Sequence, residues 1–158
     1  MASIINKFYT AFSNLDAGAM LLCYHDNVTF EDPAFGTLKG SRAKAMWQML
    51  CESQKGKDFR IEFSKIIEDE TTGKAHWEAF YTFSKTGRRV HNKINAEFRI
   101  KEGLIIAHKD QFNLYKWSKQ ALGLKGFLLG HTRYFKTKLQ AQTNKILDDY
   151  IEKKSDPN

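Results

Sequence analysis

Between residues 59 and 112 the hydrophobic side chains recur at every second position, and no other feature of the sequence limits the fold so strongly. Four such stretches follow one another, separated by short loops that contain Gly73, Gly87 and Gly103. Alternation with period two is typical of strands that bury one face, and glycine-containing loops of this length join antiparallel neighbours. We therefore predict a four-stranded antiparallel meander that begins near Phe59 and ends near Phe112.

The residues before the meander have a helical period, because their apolar side chains recur every three or four positions. Ser3 and Ser41 are the predicted N-caps of the first and third helices, and Asp16 lies near the start of the second. Helices followed by an antiparallel sheet indicate an α+β domain, with the helices on one face of a curved sheet. The predicted elements are a helix within residues 2–14, a helix over Asp16–Tyr24, a strand over Asn27–Glu31, a turn over Asp32–Gly36 and a helix from Arg42 to about Ser53.

The pattern changes again after Asn113. An apolar segment bracketed by glycines, residues 123–130, precedes a predicted amphipathic helix over Thr132–Lys154. Residues 115–158 contain nine Lys or Arg against four Asp or Glu, so most of the net charge of +7 lies there. The charges are spread and interrupted by acids, which favours a solvated helix face packed on the domain or on a partner over a nucleic-acid or membrane site. The predicted apolar stripe of this helix consists of Phe135, Leu139, Ile146 and Tyr150.

Several function classes lack the residues that they need. Cys23 and Cys51 belong to no C-x-x-C motif, and no histidine has the spacing of a metal ligand. The sequence contains no glycine-rich phosphate loop and no G-x-S-x-G elbow. No apolar run approaches the roughly 20 residues of a membrane span, and the N-terminus does not read as a signal peptide. We therefore expect a cytoplasmic protein with reduced thiols and without a metal, a cofactor or a membrane span.

The last predicted strand carries two ionisable residues on an apolar face. In a strictly alternating strand, His108 and Asp110 share the face of Leu104, Ile106 and Phe112. Burial raises the pKa of a carboxyl group and lowers that of an imidazole, which suits proton transfer near neutral pH. The alternative is that the sheet curves here, so that both residues reach its open end and only pair with each other.

Asp32 is a second candidate, because the following Pro33 restricts its backbone. It is either a carboxylate held at the mouth of a pocket or a residue that closes an Asx-turn. His91 and Asn92 begin the third long strand, and the sequence leaves open which of them faces inward. Large aromatic side chains of the predicted core could also line a ligand cavity, and they include Trp47, Trp77, Tyr81, Phe83 and Phe112.

Four segments carry a resemblance to a known superfamily: Phe8-Tyr9-x-Ala-Phe12, residues 24–33, Lys39-Gly40 and residues 108–112. With three helices before a curved meander, they resemble the nuclear transport factor 2-like superfamily over roughly residues 2–114. That group includes ketosteroid isomerase, SnoaL-like polyketide cyclases, limonene epoxide hydrolase and many non-enzymatic binding modules. The resemblance implies a cone-shaped fold with an apolar cavity between helices and sheet. Residues 1–114 would be a SnoaL-like domain, and residues 115–158 a helical extension, similar to those of bacterial SnoaL-like proteins, that caps the cone or builds a dimer.

The resemblance also implies roles for particular residues. Asp32 falls where ketosteroid isomerase has its proton-shuttling Asp. The two oxyanion donors of that isomerase correspond to Phe8 and Ala96, so both are missing, and one such donor is worth ~3 kcal/mol. Efficient steroid isomerisation is therefore not expected. Asp110 and His108 look instead like the last-strand Asp and nearby His of the SnoaL-like cyclases, in which the Asp removes a proton from an activated carbon.

We expect an enzyme in which Asp110, assisted by His108 and Asp32, transfers a proton on an apolar carbonyl or epoxide compound without a cofactor. The alternative is a non-catalytic ligand-binding or oligomerisation module of the same fold. A homodimer is expected, and nucleic acid is not an expected partner. The expected ligand-binding residues are Phe8, Phe12, Trp47, Trp77, Tyr81, Asn92 and Phe112.

Overall fold

The computed structural model describes residues 3–156, so the Ala2 end of the first predicted helix lies outside the described residues. The helices are α1 (Ile4–Ser13), α2 (Ala17–Leu22), α3 (Ser41–Gln54), α4 (Leu114–Leu122), α5 (Leu124–Leu129) and α6 (Arg133–Ser155). The strands are β1 (Tyr24–Asp32), β2 (Gly36–Lys39), β3 (Arg60–Glu68), β4 (Thr72–Phe83), β5 (Arg88–Lys101) and β6 (Leu104–Gln111).

The six strands form one curved, unclosed and mostly antiparallel sheet, in the order β2-β1-β6-β5-β4-β3. Strands β3 to β6 are the predicted meander, and each pairs antiparallel with the next. Two pairings were not predicted. Strand β1 lies parallel to β6, with Phe30 opposite His108, and the predicted turn after Asp32 leads into a further strand, β2, which pairs antiparallel with β1. The α+β prediction is confirmed, and β1 brings Asp32 to the same sheet as Asp110.

The start of β1 corrects one predicted boundary. Helix α2 ends at Leu22, so Tyr24 is the first residue of β1 and not part of a helical stripe. Ser3, Asp16 and Thr132 each accept a backbone hydrogen bond as N-caps of α1, α2 and α6. Ser41 does not cap α3, because the N-cap position is Gly40, whose φ of 55° suits glycine.

Strand β6 does not alternate strictly, because a β-bulge interrupts it. Arg99 pairs with Ala107 but Ile100 pairs with Ile105, so β6 contains one extra residue at this point. Ile105 is consequently buried together with His108 and Asp110, whereas Ile106, which was expected on their face, is only partly buried. The extra residue shifts the alternation of buried and exposed side chains by one position. His108 and Asp110, which follow the bulge, both point into the molecule.

The core lies between the sheet and helices α1 and α3, and its largest buried side chains are aromatic. Edge-to-face contacts join Phe8 and Phe12 of α1 to Trp47 of α3. A smaller cluster joins Val90 of β5 to Trp117 and Ala121 of α4. On α6, Leu147 is fully buried, although the predicted apolar stripe did not include it. The C-terminal helices therefore pack on the same body as the sheet.

Candidate functional site

An apolar cavity of about 690 Å³ lies between the sheet, α3 and the C-terminal helices. Its size is in the usual range for sites that bind small molecules. Of the described residues that line it, two are acidic, Asp32 and Asp110. The cavity thus presents two carboxyl groups on otherwise mostly hydrophobic walls.

Asp110 is almost fully buried at the end of β6 and uses its two carboxylate oxygens differently. Its Oδ1 atom lies 2.9 Å from His108 Nε2 and accepts a 3.3 Å hydrogen bond from Trp77 Nε1. Among residues 3–156, no group donates a hydrogen bond to Oδ2. Because Asp110 also lines the cavity, Oδ2 keeps its lone pairs for a bound molecule.

A chain of hydrogen bonds lies behind Asp110. Trp47 Nε1 donates to the Tyr24 hydroxyl over 2.8 Å, and this hydroxyl lies 2.7 Å from His108 Nδ1. An indole N–H can only donate, so the tyrosine oxygen accepts from Trp47. The Asp110 carboxylate can only accept, so a neutral His108 donates to it through Nε2–H and accepts at Nδ1 from the Tyr24 hydroxyl. The hydrogen bonds of this buried chain thus all run in one direction, from Trp47 through Tyr24 and His108 to Asp110.

Asp32 ends β1 and closes the turn that follows it. Its Oδ1 atom accepts hydrogen bonds from the backbone amides of Ala34 at 2.9 Å and Phe35 at 2.6 Å, so the Asx-turn is real. Burial raises the pKa of the Asp32 carboxyl to about 7, against the lowering effect of these amides, and the negative charge of Asp110 raises it further. Asp32 therefore closes the turn and also lines the cavity.

Helix α6 holds this turn from outside. Gln140 Nε2 donates to the carbonyl of Pro33 at 3.1 Å, and Asn144 Nδ2 donates to that of Phe35 at 2.9 Å. Arg42 of α3 reaches α6 as well, through Asp148 at 2.6 Å. The C-terminal extension thus contacts the segment that carries Asp32.

The structure brings most of the predicted site residues to one cavity. The catalytic candidates Asp110 and Asp32 line it, whereas His108 lies behind Asp110. Phe8 packs in the core against Tyr24, Trp47 and His108 and is not on the cavity wall. The other predicted ligand-binding residues all line the cavity: Phe12, Trp47, Trp77, Tyr81, Asn92 and Phe112.

The ambiguity between His91 and Asn92 is resolved by the parity of β5. Asn92 has the same parity as Ile94 and faces the cavity with it. His91 lies on the other face, where its ring stacks on Phe80 and its Nε2 atom is 2.6 Å from Glu78 Oε1. His91 therefore belongs to a surface pair with Glu78.

Two groups of site residues were not predicted from the sequence. Tyr24 was placed in a helix, so its hydrogen bond with His108 could not be foreseen. The C-terminal helices also supply a wall of the cavity, through Trp117 of α4 and Phe135 and Leu139 of α6. The amphipathic stripe of α6 was a signal for the second group, because its apolar face needed a surface to cover.

Other site types find no support in the described part of the chain. Within residues 3–156, no group of three or more His, Cys, Asp or Glu is arranged to hold a metal ion. Cys23 and Cys51 are buried and unpaired, and burial raises the pKa of the Cys51 thiol to about 11. No described helix is both long and apolar enough to cross a membrane.

Comparisons with known structures agree with this architecture. TerC, crystallised with polyporic acid, is 16% identical over 74% of this chain and 94% of its own, with a TM-score of 0.62. An LEH-like epoxide hydrolase from Mycobacterium tuberculosis is 20% identical over 79% of this chain and 92% of its own, with a TM-score of 0.59. A protein from Xanthomonas campestris pv. campestris, provisionally assigned as a polyketide cyclase, is 20% identical over 74% and 93%, with a TM-score of 0.59. At these identities the likeness shows the fold.

A comparison with curated protein sequences finds no match. The profile of the SnoaL-like domain, in contrast, matches residues 5–108. The match runs from α1 to His108 in β6, so it includes Asp32 and ends two residues before Asp110. Together with the fold, it shows that this chain belongs to the SnoaL-like domain family, within the nuclear transport factor 2-like fold.

Proposed function

We propose that the chain binds a small, largely apolar carbonyl compound in the cavity and that Asp110 removes a proton from a carbon next to the carbonyl group. The observation that carries the proposal is the asymmetry of the Asp110 carboxylate. Among the described residues its donors are His108 and Trp77, and both donate to Oδ1, which leaves Oδ2 for the substrate.

The proton transfer can be written with the residues of this chain alone. The C–H bond of the substrate breaks, its proton goes to Oδ2 of Asp110, and the electron pair moves to the carbonyl oxygen as an enolate. Asp32, with a carboxyl pKa of about 7, is partly protonated near neutral pH and can donate a hydrogen bond to this oxygen. If the enolate is conjugated with a C=C bond, return of the proton from Asp110 to the far carbon gives an isomer. If the enolate carbon attacks a second carbonyl group of the same molecule, a C–C bond closes a ring and the new alkoxide takes the proton from Asp110.

His108 supports Asp110 without contacting the substrate. Its Nε2–H donates to Oδ1, which holds the carboxylate in place and stabilises its charge. Tyr24 and Trp47 in turn hold the imidazole through Nδ1. We therefore propose His108 and Tyr24 as positioning residues and Asp110 and Asp32 as the groups that meet the substrate.

The test is proton exchange on a simple probe, because it requires no knowledge of the natural product. The probe is 2-tetralone, an apolar bicyclic ketone with acidic protons next to its carbonyl group, incubated in D₂O and followed by NMR. We expect the protein to accelerate exchange and Asp110→Asn to abolish this while it still binds the ketone. The amide oxygen of the introduced asparagine can still accept the hydrogen bonds of His108 and Trp77, so the variant should fold.

Asp26→Asn is the matched control, because Asp26 is an exposed acid that pairs with Lys44. It should leave exchange unchanged. Binding of 2-tetralone without any acceleration would favour the alternative, a non-catalytic ligand-binding module. Exchange that survives in Asp110→Asn would overturn the role of Asp110.

A further inference from the structure

Three lysines surround the opening of the cavity, and they come from three different elements. Lys85 lies in the loop between β4 and β5, Lys125 in α5 and Lys138 in α6, and all three are exposed residues of the cavity lining. The ion pairs of the C-terminal helices use other lysines, such as Lys145 and Lys154. Within residues 3–156, Lys85, Lys125 and Lys138 form no ion pair with a carboxylate.

The charges of the cavity are separated along its depth. Asp110 is only 3% exposed and Asp32 is partly buried, whereas the three lysines are exposed. Residues 111–147, which supply much of the cavity lining, contain seven Lys or Arg and no Asp or Glu. The cavity is therefore negative at its inner end, positive at its opening and apolar between them.

We propose that the natural ligand is an amphipathic anion, with an aromatic or hydrocarbon body and a carboxylate or other acidic group at one end. The body fills the apolar part of the cavity. The acidic group stays at the opening beside Lys85, Lys125 and Lys138, where water still reaches it. This proposal rests on the proposed function, since it names the substrate class of the same cavity.

Charge separation also sets the orientation of such a ligand. An anionic group at the inner end would meet the charge of Asp110 in surroundings of low dielectric constant, where like charges repel strongly. The same group at the opening meets three cations. The uncharged end of the ligand therefore enters first, and it is this end that reaches Asp110.

The experiment compares two fluorescent probes that differ in charge. 1-Anilinonaphthalene-8-sulfonate carries a sulfonate, and N-phenyl-1-naphthylamine has the same ring system without it. Both are titrated into the wild type and into the triple variant Lys85→Gln, Lys125→Gln and Lys138→Gln at low salt. Competition between the two probes shows that they occupy one site.

We expect the triple variant to raise the Kd of the sulfonate probe about tenfold, since exposed ion pairs each contribute modestly and three of them add. The Kd of the neutral probe should stay within about twofold, because its rings meet only the apolar walls. High salt should raise the Kd of the sulfonate probe for the wild type and have little effect on its Kd for the variant. The matched control replaces three exposed lysines outside the cavity lining, Lys57, Lys93 and Lys101, by Gln and loses the same net charge.

Three results would overturn the proposal. If the control variant raises the Kd of the sulfonate probe as much as the triple variant does, the net charge of the protein, and not the three lysines at the opening, causes the loss of affinity. If the neutral probe binds and the sulfonate probe shows no dependence on the three lysines, this inference fails while the cavity remains a ligand site. If neither probe binds the wild type, the proposed function fails together with it.

Discussion

The hydroxyl group of Thr143 donates a 2.7 Å hydrogen bond to the backbone carbonyl of Ala34, although 109 residues separate the two along the chain. Gln140 and Asn144 make equivalent contacts with the carbonyls of Pro33 and Phe35. Three consecutive carbonyls of the turn after Asp32 thus accept from one face of α6, at helical spacing. The extension therefore helps to fix the backbone of a residue that lies in the cavity.

We predict that Thr143→Val lowers the free energy of unfolding by about 1 kcal/mol, since one partly buried hydrogen bond is lost. Valine is also β-branched, so helix propensity and shape change little. Thr137→Val is the control, because Thr137 is an exposed residue of the same helix. Urea denaturation of both variants measures the difference. Equal stability of the two would show that the contact with Ala34 contributes nothing.

The pKa of Asp32 predicts a particular dependence of stability on pH. Its carboxyl has a pKa of about 7 in the folded chain against 3.8 as the ordinary value. The folded state therefore binds more protons than the unfolded state between these two values, and the free energy of unfolding falls as pH rises through this window. The slope attributable to Asp32 is at most about 1.4 kcal/mol per pH unit.

Asp32→Asn should remove this slope. An asparagine oxygen still accepts from the amides of Ala34 and Phe35, so the turn is kept while the titrating group is lost. Denaturation of both proteins at several pH values from 4 to 8 gives the two profiles, and their difference isolates Asp32. Parallel profiles would contradict the raised pKa.

The hydrogen-bond chain behind Asp110 predicts one tautomer of His108, with the proton on Nε2. Nitrogen-15 NMR of the imidazole distinguishes this form from the Nδ1–H tautomer. In Tyr24→Phe, His108 Nδ1 loses the hydroxyl group that fixes this tautomer, so both tautomers should be populated. The free energy of unfolding should fall by roughly 2 kcal/mol, because Trp47 Nε1 and His108 Nδ1 lose their partner.

Tyr9→Phe is a matched control for Tyr24→Phe. Both tyrosines are buried, but the hydroxyl of Tyr9 has no hydrogen-bond partner among the described residues. Its removal should cost nothing or stabilise the fold slightly, since a buried polar group without a partner is unfavourable. An equal loss in both variants would mean that the chain through Tyr24 has no special role.

Features that depend on neighbouring residues, such as the buried face of a strand, could be predicted from the sequence. Features that depend on the pairing of distant strands could not. The alternation of Ile94, Ala96 and Phe98 is a local property, and it correctly identified the inward face of β5. The parallel pairing of Phe30 with His108 joins residues 78 positions apart, so no short-range period contains it.

The same reasoning explains the candidate site. Asp110 and Asp32 could be named because an ionisable residue on an apolar face, or before a proline, is visible in the sequence itself. Tyr24 could not, because its role arises only when β1 lies beside β6. The bulge at Ile106 was equally hidden, since an extra residue in one strand has no signature without its partner strand.

The packing of α5 on α4 depends on a glycine, and this leads to the last prediction. A Cβ atom on Gly126 would lie 1.9 Å from the backbone oxygen of Ser118, and backbone atoms cannot move aside as a flexible side chain can. We expect Gly126→Ala to lower the free energy of unfolding by about 1–3 kcal/mol, the usual cost of overpacking. It should also weaken ligand binding, because α5 supplies Lys125 and Leu129 to the cavity.

Gly18→Ala is the control, because Gly18 is also helical and a Cβ there meets its nearest atom, Asp16 Oδ1, only at 3.6 Å. Alanine favours a helix over glycine by up to about 1 kcal/mol, so this variant should be neutral or more stable. Thermal unfolding and probe binding of the two variants separate close packing from the general effect of adding a methyl group, and an unchanged Gly126→Ala protein would contradict the observed contact between α4 and α5.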